Sequence, residues 1–128
     1  MAKRADELIQ RIRDFRGYVY PYQEFLARED PEWLEAYWNM YEILRRKRAL
    51  PQVYKELLFV IVSAAKMFGP GIRTHITKAL QLGATKEELI ETLEIAGTTC
   101  GGVVKVFGFR ILMEVLEGGP VSENPDWG

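Results

Sequence analysis

The sequence predicts an all-α fold, a bundle of about six helices, and three observations predict it. Apolar residues recur at helical period along most of the chain. Capping residues, glycines and prolines punctuate those stretches at intervals typical of short helices. No run alternates apolar and polar residues for long, and no asparagine-glycine or aspartate-glycine pair marks a hairpin.

Each helix has its own signal. Residues 6–16 place Leu8, Ile9, Ile12 and Phe15 on one side, and Gly17 ends the run. Pro21 breaks the aromatic stretch 18–29, which has room for a short helix at 23–27. Asp30-Pro31-Glu32 offers an N-cap, a first-turn proline and an acid. The helix it opens runs to about 47, with Trp33, Leu34, Tyr37, Trp38, Tyr41 and Leu44 as its apolar positions. Pro51 opens a helix to about 68 that is apolar almost all round, a pattern expected of a helix buried on every side. Gly69-Pro70-Gly71 is a break before a helix over 72–82, stopped by Gly83. Thr85 and Glu88 form a capping box for a helix reaching Gly97. The last helix spans 101–116, with Gly118 past its end.

Composition narrows the function. A chain of 128 residues suits a single domain, 1–128. With 48% hydrophobic and 27% charged residues, it can bury about two-thirds of its unfolded surface and needs no staples. A net charge of -1 gives no footprint for nucleic acid. The basic run Arg45 to Arg48 reads as a solvated helix C-terminus. The longest strongly apolar stretch, 57–65, is far short of the ~20 residues of a membrane span. The start, Met1-Ala2-Lys3-Arg4, leads into no apolar segment of a secretory leader, so cytoplasmic residence is expected. Cys100 is the only cysteine, which rules out an intrachain disulfide and argues against a thiolate zinc site.

Three residues could carry chemistry. His75 is the only histidine and lies one turn into a helix after a glycine-rich break. A lone helical histidine is most often structural. It is also the one side chain here that exchanges a proton near neutrality without a large shift. Glu56 is the only acid in the 51–68 helix. It reads either as a helix-start acid favoured by the dipole or as a partner for His75 across two adjacent antiparallel helices, orienting the imidazole. Lys55 beside it is expected to face solvent. Cys100 is expected at a helix start, where a thiol can be activated, although a buried, small-hydrophobe role fits cysteine better. Most aromatic residues gather between Phe15 and Tyr41. Packing accounts for them; a lid over an apolar pocket is the other reading.

The stretch KELLFVIVSAAKMFGPGIRTHITKALQLGATKEELIETLEIA resembles the core of the carboxymuconolactone decarboxylase / alkylhydroperoxidase AhpD-like superfamily. In the family frame a glutamate is followed by a C-x-x-C pair, a histidine after three intervening residues, and an A-L-x-x-G-x-T-x-E-E pattern. Glu56 falls on the glutamate, His75 on the histidine, and Ala79, Leu80, Gly83, Thr85, Glu87 and Glu88 on the downstream pattern. Phe68 and Gly71 occupy the cysteine positions, so the redox branch's dithiol chemistry is not expected. TTCGGVVKVFGFRILMEVL is similar to the final helix of the decarboxylase branch, which also lacks the pair. The resemblance places variable helices at 1–50, the family core at 51–117 and a tail at 118–128.

The resemblance implies an AhpD-like helical bundle and a lyase of aromatic catabolism, removing carbon dioxide from a small carboxylated lactone without metal or organic cofactor. His75 would donate the proton and Glu56 would partner it. Arg73 and the N–H groups after Gly71 would hold a carboxylate or enolate oxygen, and Cys100 would lie at the substrate. Two alternatives stand beside this: a non-catalytic oligomeric binding protein of the same fold, and a redox helper of peroxidases using Cys100. The expected partners are a small-molecule substrate and further copies of the chain, with neither nucleic acid nor membrane. The all-apolar helix and the aromatic region argue for a homo-oligomer, and the resemblance implies a trimer or hexamer. Trp127 is a plausible anchor on a neighbouring copy.

Overall fold

Asp30 and Thr85 are each followed by a helix, as their sequence contexts predict, whereas Pro21, expected to break the chain, instead opens one. The computed structural model describes residues 2–118, and the tail with Trp127 lies outside the described residues. Seven helices occupy this span: α1 (Ala2–Arg16), α2 (Pro21–Glu29), α3 (Pro31–Arg45), α4 (Gln52–Ala65), α5 (Gly69–Gln81), α6 (Lys86–Cys100) and α7 (Gly102–Leu116). Among the described residues there is no strand. Contacts group the helices into two compact units that divide between Arg46 and Lys47.

In the first unit, α1 buries Ala5, Leu8, Ile9 and Ile12 against Ala27 of α2 and Leu34 and Trp38 of α3. Leu8, Ile12 and Ala5 share one face at helical spacing, which makes α1 amphipathic. Gln23 is fully buried at the entry to α2. Its Oε1 accepts from the Tyr20 backbone N–H at 3.0 Å and from Arg16 Nη2 at 2.5 Å, tying the start of α2 to the end of α1. The Arg16 guanidinium lies over the rings of Tyr18 and Tyr20, 4.2 and 4.5 Å from their centroids, so the aromatic stretch closes round a cation. Asp30 caps α3 by accepting from the Trp33 N–H at 3.3 Å. Trp33 and Leu44, expected among the core positions of α3, are exposed, and only Leu34 and Trp38 are fully inside.

The second unit is built on α4 and α5, with α6 and α7 packed against them. Val60 and Ala64, Ile72 and Ile76, Leu89 and Leu93, and Ile111 and Leu112 form the larger part of its core, with Ala79, Ala96 and Val104 beside them. The α4–α5 turn has a left-handed residue, Met67, at φ 55°. The Phe68 N–H donates to Ser63 O at 2.9 Å and the Met67 N–H to Ala64 O at 2.9 Å. That pairing is a Schellman cap with methionine where glycine is usual. The chain turns so sharply that Gly69 and Pro70, read from the sequence as a break, already belong to α5. The Thr85 box forms as expected: the Glu88 N–H donates to Thr85 Oγ1 at 3.0 Å and the Thr85 N–H to Glu88 Oε1 at 2.8 Å.

The expectation that α4 is buried on every side needs correcting. Glu56, Val60 and Ala64 line its inner face, while Tyr54, Leu58 and Val62 form an outer stripe that is about half exposed. Helical period, rather than apolar content, selects which positions the neighbouring helices cover. Lys55, expected in solvent, is buried beside Glu56.

Candidate active site

Glu56 enters this site from the second turn of α4, and His75 from the second turn of α5. α4 and α5 are consecutive, joined by the tight Met67 turn, and pack extensively on each other. His75 Nδ1 lies 2.6 Å from Glu56 Oε2. The carboxylate is only 4% exposed and the imidazole 21%, so the ring stands between the acid and the outside. Phe59, one turn after Glu56, stacks on the imidazole with centroids 4.8 Å apart and planes at 30°. The ring is therefore held on two sides, by a hydrogen bond in its plane and an aromatic face above it.

This arrangement has a definite chemical capacity. With Glu56 ionised, His75 Nδ1–H donates to it, which leaves Nε2 as the nitrogen that can exchange a proton. A buried carboxylate without a donating partner is costly, so the contact with His75 satisfies the acid and fixes the orientation of the ring. The pair can present a proton, or accept one, at a single defined point.

The remaining candidates are not gathered here. Arg73 is two residues from His75, roughly 200° round the helix, and its guanidinium pairs with Glu114 on α7. Arg110 Nε lies 3.9 Å from the other oxygen of the same carboxylate. Gly71 is buried, and a Cβ there would lie 2.7 Å from Phe68 Cδ2 and 2.8 Å from Ser63 Oγ. Its visible role is close packing of α5 on the end of α4. Cys100 was expected at a helix start and shielded. It is instead the last residue of α6 and is exposed, with Thr99 Oγ1 3.5 Å from its Sγ. The α6 helix runs past Gly97 because that glycine lies flat against Lys105 of α7 and does not end the helix. Among the described residues no group of His, Cys, Asp and Glu is placed to hold a metal ion, and no helix is long and apolar enough to cross a membrane.

Two residues at these contacts had no distinct signal in the sequence. Phe59 was one apolar residue of many in α4; only its three-residue spacing from Glu56 hinted at a shared face. Glu114 is separated from Arg73 by most of the second unit, and nothing local announces the pair.

The family model of the carboxymuconolactone decarboxylase family matches residues 31–114, well over half of the chain. The chain belongs to the carboxymuconolactone decarboxylase family. The match opens with α3 and ends within α7. No curated protein and no solved structure gives a significant match to the chain. Within this family member the Glu56–His75 pair lies inside the matched region, as do Phe68 and Gly71.

Proposed function

We propose that this family member is a decarboxylase-like lyase acting on a small carboxylated lactone or related acid by cofactor-free proton transfer. The observation that carries the reading is the 2.6 Å contact between the buried Glu56 carboxylate and the partly exposed His75 ring. As the substrate C–C bond breaks, carbon dioxide leaves and its electron pair spreads into the lactone as an enolate. His75 then protonates carbon, and Glu56 stabilises the imidazolium that precedes this transfer. Arg73 is given no part in holding the substrate, because its guanidinium is engaged by Glu114.

The test is carbon dioxide release from a carboxylated muconolactone by the purified protein. His75→Gln is expected to lower turnover by about 10²–10⁴-fold, the usual worth of a positioned general acid. Release unchanged in that variant would overturn the assignment. Saturable binding of the lactone with no release would instead support the non-catalytic binding protein.

The exposure of Cys100 favours a second reading, a redox relative working through that thiol. A single thiolate cannot be resolved within one chain, so this reading requires two copies. Peroxide turnover with a thiol reductant, lost in Cys100→Ser, would establish it. The chain is further proposed to work in the cytoplasm as a homo-oligomer, a trimer or hexamer. The half-exposed stripe of Tyr54, Leu58 and Val62 supports the oligomer.

A further inference from the structure

The α7 helix has two faces. Val104, Gly108, Ile111 and Leu112 are buried. On the opposite side Val103 and Val106 are 71% and 70% exposed, well beyond what a lone surface valine needs. Here the surface is concave, a shallow hollow of about 690 Å³. That lies within the ~300–1,000 Å³ of small-molecule sites. Its wall is apolar, formed by Val103, Val106 and Phe107 with Met67 from the α4–α5 turn. Glu56 and His75 do not line it.

Among the described residues only two charged ones line the hollow, Lys105 and Arg110, and both are cations. Lys105 is pinned: its Cβ stands where a side chain on Gly97 would be, 2.6 Å from that position, so α6 supports its stem. Arg110 lies 5.3 Å from the Phe107 ring centroid. Its nearest carboxylate, Glu114 at 3.9 Å, is already paired with Arg73. Met67 is held in the left-handed region at φ 55°, a conformation costly for a side chain of its kind. That turn sets it on the hollow's edge.

An apolar wall with two cations and no acid is complementary to an amphipathic anion. We propose that this hollow binds a hydrophobic carboxylate, with the alkyl or aryl body on Val103, Val106 and Phe107 and the carboxylate at Arg110 and Lys105. A second copy that meets this face with its own is a poorer occupant. Across a two-fold axis it would bring the same two cations against each other, with no acid of the hollow to meet them.

Isothermal titration of the full chain with sodium octanoate tests this, with octanol and acetate as the charge-free and tail-free probes. Saturable octanoate binding is expected, with both controls weaker. Lys105→Gln/Arg110→Gln should weaken octanoate by at least about tenfold, the loss of charge-assisted contacts. Val106→Asp should abolish binding with far-UV circular dichroism unchanged, since that side chain faces out. Octanol binding as tightly as octanoate, an unaffected double variant, or no saturable binding at all would each overturn the site. So would light scattering in which Val106→Asp dissociates an oligomer of the wild-type chain, since the face would then belong to a subunit contact.

Discussion

Glu56 and Glu42 are both acids held by a donor from another helix, and burial makes their consequences different. Glu56 is almost sealed and its ring partner is not. Glu56→Ala strands His75 Nδ1 and should cost about 1–3 kcal/mol, the usual penalty of an orphaned polar partner, read as a lowered thermal midpoint. Glu56→Gln keeps an oxygen to accept from Nδ1 and should melt closer to wild type while still losing turnover. Equal stability in the two variants would argue that the contact does not form. Glu42 lies in the first unit, where Arg11 Nη2 donates to it at 2.8 Å and the Trp38 indole N–H at 2.8 Å. The Arg11 hydrogen bond, more than its charge alone, holds the Glu42 carboxyl below the usual carboxylate range, against the opposing effect of desolvation. A lowered folded pKa means stability that is present above the ordinary carboxylate pKa and lost as pH falls through the folded value. Because Arg11 is 39% exposed, screening keeps this to about 1 kcal/mol or less. Acid titration followed by tryptophan emission should show the loss, and Glu42→Gln should flatten it. His75 and Glu56 stood out in the sequence because each was chemically rare in its setting. Arg11 and Glu42 did not, since surface acids and bases are common and only the helix crossing selects which of them meet.

Where α6 crosses α7, glycines set the spacing. A Cβ on Gly97 would lie 2.6 Å from Lys105 Cβ and 3.3 Å from its Cα, so the helix backbones themselves would have to part. A Cβ on Gly108 would meet Leu93 Cδ2 at 2.9 Å, the far end of a side chain that can turn aside. Alanine gains ~1 kcal/mol over glycine in helix propensity at either site. Gly108→Ala should therefore melt close to wild type, while Gly97→Ala should lose about 1–3 kcal/mol to overpacking. Thermal melts of the two variants give the comparison, and a Gly97→Ala protein as stable as wild type would mean the helices do not approach this closely. The Thr85 box was legible because its chemistry is local. The function of Gly97 was not: a glycine near a helix end looks the same whether it stops the helix or admits a neighbour. The same ambiguity moved Cys100 from the expected start of one helix to the end of another.

At the scale of the molecule, contacts gather into two units while the family match runs from the first unit into the second. The all-α class was legible because period 3.6 survives in every segment. The division after Arg46 was not, since the basic run there resembles any other helix end and a partition into units depends on contacts distant in sequence. The outer face of α4 exposes Tyr54, Leu58 and Val62. Apolar surface on that scale usually has an occupant. Static light scattering at micromolar concentration should give a multiple of the chain mass. A particle of 14.8 kDa, unchanged on concentrating, would sink the oligomer and leave the α4 stripe as bare surface.

The packing at Gly71 also constrains the chain's possible histories. The resemblance to the redox branch would put its cysteines at Phe68 and Gly71, and a Cβ on Gly71 crowds both Phe68 and Ser63. A mutational route to a dithiol pair thus has a preferred order. Replacing Phe68 first removes the 2.7 Å obstacle and leaves Ser63, its Oγ at 2.8 Å and its Cβ at 3.2 Å. Replacing Gly71 first passes through an intermediate in which Phe68 and Ser63 must both give way, one helical turn before His75. The same step order, reversed, would have to be followed by a lineage losing the pair, with glycine arriving before phenylalanine.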